Sequence, residues 1–289
     1  MLFKTADEFV KSPRRAVTVF GMAGVGKTRL SAMLRASNWF HYSADYRIGT
    51  RYMGEYIVDN FKREAMKNPF LAELLRSDSI YISSNITFAN LDPLSTYLGT
   101  PGNPDRGGLP LEEYQRRQEQ HRVAEIAALR DVPYFIERAQ ALYGYDDFIT
   151  DTGGSLIEVV DPADANDPVI ETLAASTALL YIRGTEKDAA QLVSRFKQNP
   201  KPMYYTPAFL VQKWAEYKAL NKVAEDCDVD PEGFGAWGFE ALLHDRLPRY
   251  QALADNFGYV VEASDLAIVR DGDEFVDLMA AAIEARGRM

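Results

Sequence analysis

Eight residues near the start of the chain limit its architecture more than any others: Gly21-Met22-Ala23-Gly24-Val25-Gly26-Lys27-Thr28. They fit G-x-x-x-x-G-K-[ST] at every fixed position. The glycines let the backbone curl so that its N–H groups point inward around phosphate oxygens. A helix starting near Lys27 adds the positive end of its dipole. Lys27 then reaches the β- and γ-phosphates, and the Thr28 hydroxyl ligates Mg²⁺. With average residue usage the pattern arises by chance in roughly one chain in a hundred of this length. Its context is also the required one. Ala16-Val17-Thr18-Val19-Phe20 is β-rich and stops at Gly21, and Leu30, Met33 and Leu34 recur at helical spacing between Thr28 and Ser37. A flexible glycine turn needs no such flanks. A dinucleotide loop needs G-x-G-x-x-G, whereas these glycines run G-x-x-G-x-G, and it has no use for Lys27. Residues 21–28, with Arg29 next on the helix, are therefore expected to hold ATP and Mg²⁺. ATP is the default because the guanine-reading Asn-Lys-x-Asp is absent.

Further strands are expected at about Trp39–Ser43, at Phe148-Ile149-Thr150, at Ala178–Ile182 and at Tyr259-Val260-Val261, with helices between them. Glu274–Glu284 reads as a last amphipathic helix. Such alternation predicts an α/β fold with a parallel sheet covered on both faces. Residues 52–143 are mostly helical in pattern, broken by Thr100-Pro101-Gly102-Asn103-Pro104 and Gly107-Gly108-Leu109-Pro110, and read as a helical insertion. At 289 residues, one large α/β domain fits the length. The net charge of −10 counts against broad nucleic-acid binding, which depends on neutralising phosphates. Cys227 is the one cysteine, so no intramolecular disulfide can form. Charges precede the first apolar run, and no stretch approaches the ~18 apolar residues of a membrane helix. A soluble, cytoplasmic protein is the expectation.

Other residues gain meaning from the loop. Asp151 follows the third strand and precedes Thr152-Gly153-Gly154-Ser155. A carboxylate on a strand tip suits Mg²⁺ or its waters; a surface turn has the same composition. Asp45 ends the second strand and could take a proton from an acceptor hydroxyl, or cap the next helix. Arg47 and Arg51 follow it; a solvated helix face explains either as well as an anionic substrate does. Ala178–Tyr205 carries Arg183, Lys187, Arg195, Lys197 and Lys201 against Glu186 and Asp188. Residues 183–205 thus read as a basic, lid-like segment that can close on phosphates, or as an ordinary basic helix. The helix Tyr114–Arg130 places Arg116, Arg117, His121 and Arg122 on what reads as a solvated face. His41, His121 and His244 lack zinc-ligand spacing.

These residues resemble the small P-loop kinases of the shikimate kinase, gluconate kinase and nucleoside monophosphate kinase group. The match is Gly21–Thr28 after strand one, Asp45 at the tip of strand two, Gly153-Gly154 after strand three, and the lid-like segment. Lys201-Pro202-Met203 sits where shikimate kinases have Arg-Pro-Leu. Arg246-Leu247-Pro248-Arg249-Tyr250 with Ala254 resembles their Arg-x-Pro-Leu-Tyr…Ala ending. Asp151-Thr152-Gly153-Gly154-Ser155-Leu156 also resembles a bacterial branch labelled ATPases. Shikimate kinases carry Asp-x-Asp on strand two; here it is Ser43-Ala44-Asp45, and Ser155 replaces their third glycine. The insertion is foreign to them, which argues against shikimate as acceptor. The resemblance implies a three-layer P-loop NTPase fold with strand order 2-3-1-4-5, and nucleotide or substrate contacts at Lys201 and Arg246.

Together these features imply ATP-dependent phosphoryl transfer to a small metabolite or nucleotide. Lys27 and Thr28 would hold ATP-Mg²⁺, Asp151 would support the metal, Asp45 would act as base, and Arg183 and Arg195 would close over the phosphates. The rival is a nucleotide-driven switch that hydrolyses ATP and binds a protein partner through the insertion.

Overall fold

In the computed structural model, which describes residues 2–288, five strands form one all-parallel sheet. They are β1 (Ala16–Phe20), β2 (Trp39–Ser43), β3 (Asp147–Asp151), β4 (Ala178–Arg183) and β5 (Gly258–Glu262). Their order is β2-β3-β1-β4-β5, that of a P-loop NTPase-like fold. The helices, in chain order, begin with α1 (Ala6–Val10), α2 (Lys27–Ala36), α3 (Ala44–Arg47), α4 (Gly54–Ala65), α5 (Pro69–Arg76) and α6 (Asp92–Leu98). Then come α7 (Leu111–Arg130), α8 (Val132–Tyr143), α9 (Pro168–Ser176), α10 (Glu186–Gln198) and α11 (Pro207–Asn221). The last are α12 (Pro231–Phe257), α13 (Ala263–Ala267) and α14 (Gly272–Arg286). Among the described residues no helix is long and apolar enough to cross a membrane.

The central strands are buried on both faces, which is why Val17, Val19, Ile149, Leu179, Leu180 and Ile182 read as near-continuous apolar runs. On one face Trp39 meets Phe275 of α14 edge-on at 5.5 Å. On the other, Phe20 and Tyr181 stack at 5.5 Å, and Tyr250 of α12 packs on both. Arg15 grips Asp147 with two side-chain bonds of 2.9 and 2.7 Å, tying the start of β1 to β3.

The chain divides into two compact units. The first holds the sheet and consists of residues 1–44, 126–200 and 236–289; the second consists of 45–125 and 201–235. This differs from the expected segments 52–143 and 183–205. Residues 126–143 go with the sheet because Tyr42 donates to the Ala128 carbonyl at 2.7 Å and packs on Phe135 of α8. Lys201–Tyr205 goes with the second unit, where Gln118 accepts from the Tyr205 N–H at 2.8 Å and Tyr114 donates to the Met203 carbonyl at 2.7 Å.

Within the second unit α7 differs from the solvated basic face expected of it. Arg116 is exposed and Arg122 half-buried, paired with Glu113 and Glu119, but Arg117, Gln118, His121 and Glu125 are buried. Glu113 accepts from Arg116 Nε at 2.8 Å and Arg117 Nε at 2.7 Å. Those guanidiniums, Arg116 foremost, pull its carboxyl from 4.5 down to about 2. A carboxylate with a lowered folded pKa stabilises the fold above its unfolded value and loses that contribution as pH falls through about 2. Glu113→Gln is therefore expected to cost about 1 kcal/mol at pH 7, after allowing for solvent screening. In urea unfolding the gap from wild type should shrink to less than about half by pH 3; a gap constant with pH would contradict the ion-pair account.

Candidate functional site

Residues 21–26 join β1 to α2 as a tight loop. Gly21 has φ +136°, and a Cβ there would lie 2.6 Å from the Ile182 carbonyl of β4, so only glycine fits. Gly24 has φ +84°, the left-handed region that other residues avoid. No side chain caps α2, whose N-cap is Gly26. Its first-turn N–H groups and its dipole therefore face the loop, the arrangement that binds anions at helix starts. Lys27 is buried and donates to the carbonyls of Gly21 and Met22 at 2.8 and 2.9 Å, so its ammonium spans the loop from inside.

Asp151, the last residue of β3, is 8% exposed and hydrogen-bonds the Thr28 side chain. Burial pushes its carboxyl up, while the Lys27 charge and the Thr28 hydrogen bond pull it down. Asp151 is in register with Ser43 of β2. Thr28 and Asp151 offer a hydroxyl and a carboxylate side by side. Mg²⁺ takes oxygen ligands and is usually held by one or two carboxylates plus phosphate oxygens and waters, so this donor pair fits it.

Three further residues lie against the loop or Asp151, none of them foreseen from the sequence. Gly184 follows β4, and a Cβ on it would clash with Met22 Cε. His41 of β2 lies with Nε2 4.0 Å from Asp151 Oδ2. Burial first, and the Arg35 charge second, lower its pKa to about 4, so the ring is neutral at pH 7. Leu266 of α13 packs against Gly26. A glycine next to a Thr185–Asp188 capping box was the visible sign for Gly184. His41 had none, because its meeting with Asp151 depends on strand register.

The other residues singled out from the sequence are dispersed. Arg195 of α10 lies over the loop, its Nη2 3.1 Å from where a Gly24 Cβ would stand. Arg183 instead pairs with Glu262 across β4 and β5 and bonds Gln251 at 3.3 Å. It lines a cavity of about 680 Å³ along β5 whose walls include none of residues 21–28. Arg29 donates to the Val269 carbonyl at 3.1 Å and to that of Leu266, closing the end of α13. Lys201 belongs to the second unit and lies 3.8 Å from Asp92, both exposed. Asp45 opens the second unit, half-buried on α3, two residues past the end of β2.

Arg246 is buried in the sheet unit. Its Nε donates to Glu158 at 3.0 Å, and Glu158 also accepts from Arg249 at 3.3 Å. Arg246 Nη1 lies 3.5 Å from where a Gly154 Cβ would stand, and the Tyr250 hydroxyl donates to the Gly154 carbonyl. The Gly153-Gly154 turn is thus strapped to α12.

No protein-family model matches the chain, and no curated protein matches it. Among solved structures it is similar to a shikimate kinase from Bacteroides thetaiotaomicron, at 15% identity over 95% of this chain and 94% of that one, with a TM-score of 0.36. At that score the likeness does not bear on function; the fold stands on its own strand order.

Proposed function

We propose that the protein is an ATP-dependent phosphotransferase with Mg²⁺ as cofactor, acting on a small metabolite or nucleotide. The observation that carries this reading is the meeting of Lys27, Thr28 and Asp151 beside the uncapped start of α2. Backbone N–H groups of residues 21–28 bind the phosphates. The ammonium of Lys27 turns from the Gly21 and Met22 carbonyls to the phosphate oxygens. Thr28 and Asp151 hold the metal, which when bound neutralises charge on the β- and γ-phosphates. Arg195, already over Gly24, adds a second positive charge where the transferring group gains negative charge.

Asp45 is the proposed base. It follows Ser43 by two residues, a span of at most about 7 Å, and Ser43 is the rung partner of Asp151. Gly153-Gly154 lets an acceptor approach the backbone closely, and Arg246 beside it suits an anionic or polyhydroxylated acceptor.

ATP labelled in its γ-phosphate, offered with a panel of nucleoside monophosphates and hydroxylated metabolites, tests this function. Label should move to one acceptor class, with ATP turnover at least about tenfold above that with water alone, and Asp45→Asn should remove the rise while sparing ATP binding. If label appears only as inorganic phosphate and turnover responds only to a protein partner, the protein is a nucleotide switch instead.

A further inference from the structure

We infer that His41 is a positioning residue that holds the Asp151 carboxylate in place for the metal; this rests on the proposed role of Asp151. The parallel ladder aligns His41 with Ile149 and Ser43 with Asp151. Side chains alternate along a strand, so residues 41 and 43 of β2 share a face with 149 and 151 of β3. His41 is thereby the diagonal neighbour of Asp151, with side chains 4% and 10% exposed. The 4.0 Å between Nε2 and Oδ2 closes to a hydrogen bond with a shift of about 1 Å.

A second observation comes from α2. Lys27, Ser31 and Arg35 are spaced by four and lie in one line along the helix. The Lys27 charge acts on Asp151, and the Arg35 charge acts on His41. Ser31 lies midway between them on the helix. It is wholly buried, and its Oγ has no hydrogen-bond partner. Buried hydroxyls are rarely left so. A neutral imidazole has one donor and one acceptor nitrogen. With Nε2 turned to Asp151, the Ser31 hydroxyl can serve the other nitrogen and fix the ring. Groups that orient metal-binding side chains in this way change metal affinity by about 10- to 100-fold.

Calorimetric titration of ADP at a series of Mg²⁺ concentrations is the test. His41→Leu is expected to raise the Mg²⁺ needed for half-maximal strengthening of ADP binding by about tenfold or more. Metal-free ADP affinity should stay within about twofold of wild type, since the loop and Lys27 are untouched. His41→Gln, which keeps a donor, should recover most of the loss, and Ser31→Ala should give a smaller shift in the same direction. Wild-type Mg²⁺ dependence in folded His41→Leu overturns the inference, as does an equal loss in the leucine and glutamine variants, which marks packing alone. Should His41→Leu fail to fold, unchanged Mg²⁺ dependence in Ser31→Ala overturns it. If the wild-type protein shows no Mg²⁺-strengthened ADP binding, the assignment of Asp151 has failed, and His41 falls with it.

Discussion

Lys27→Ala is expected to lower ATP turnover by about 10²–10³-fold, the usual cost of removing one positive group aimed at developing charge. The lysine side chain spans the loop from within, bonding Gly21 and Met22. Removing it takes away the charge that the phosphates would meet, and leaves those two carbonyls facing the site. Both changes repel an anion. Lys27→Arg should not restore activity, because a planar guanidinium does not fit where an ammonium makes two short bonds. Steady-state turnover with unfolding midpoints measured in parallel separates this loss from a folding defect. Near-normal turnover in a folded Lys27→Ala would remove the loop from the chemistry.

The second large effect is expected at Asp151. Asp151→Asn keeps the shape and can still hydrogen-bond Thr28, but it removes the negative charge next to the metal position. Turnover should fall by about 10²-fold or more at limiting Mg²⁺ and recover in part as Mg²⁺ is raised. Metal-free ATP affinity should hold or rise slightly, because one carboxylate less faces the phosphates. Mg²⁺ titrations of turnover in wild type and variant read this directly. A variant with unchanged turnover at limiting Mg²⁺ would move the metal's support elsewhere, first to Asp147 or Asp45. Asp147 is the weaker of these, since Arg15 already holds it at the far end of β3.

The strands and the loop were legible in the sequence because their signals are local. Ala16–Phe20 is rich in β-branched and apolar residues, and the glycine that β4 requires, Gly21, follows it. The order 2-3-1-4-5 followed from resemblance and matches the sheet. Asp151 was legible as the residue ending a strand. What completes its setting was not, because register decides it: Ser43 faces Asp151 and His41 lies diagonal to it. The second unit was only partly legible. Its helices show in the pattern of residues 52–125, but its closing piece, 201–235, lies far along the chain. On α7, Arg117 and His121 read as solvent-facing, whereas tertiary contacts bury them. Arg117, for one, is held by the Tyr97 carbonyl and by Asn60 at 3.1 Å. Propensity and charge say nothing of such partners. Arg183 illustrates the same limit, since its partner Glu262 is supplied by the neighbouring strand.

Calorimetric titration of ATP into the wild-type protein and Lys27→Ala, each with and without Mg²⁺, tests the central claim most directly. The account predicts one site per chain in wild type, tighter with Mg²⁺, and at least about tenfold weaker binding in Lys27→Ala, a loss of about 1.4 kcal/mol or more. Equal ATP affinity in the two proteins, or no binding by wild type with Mg²⁺ present, would contradict it.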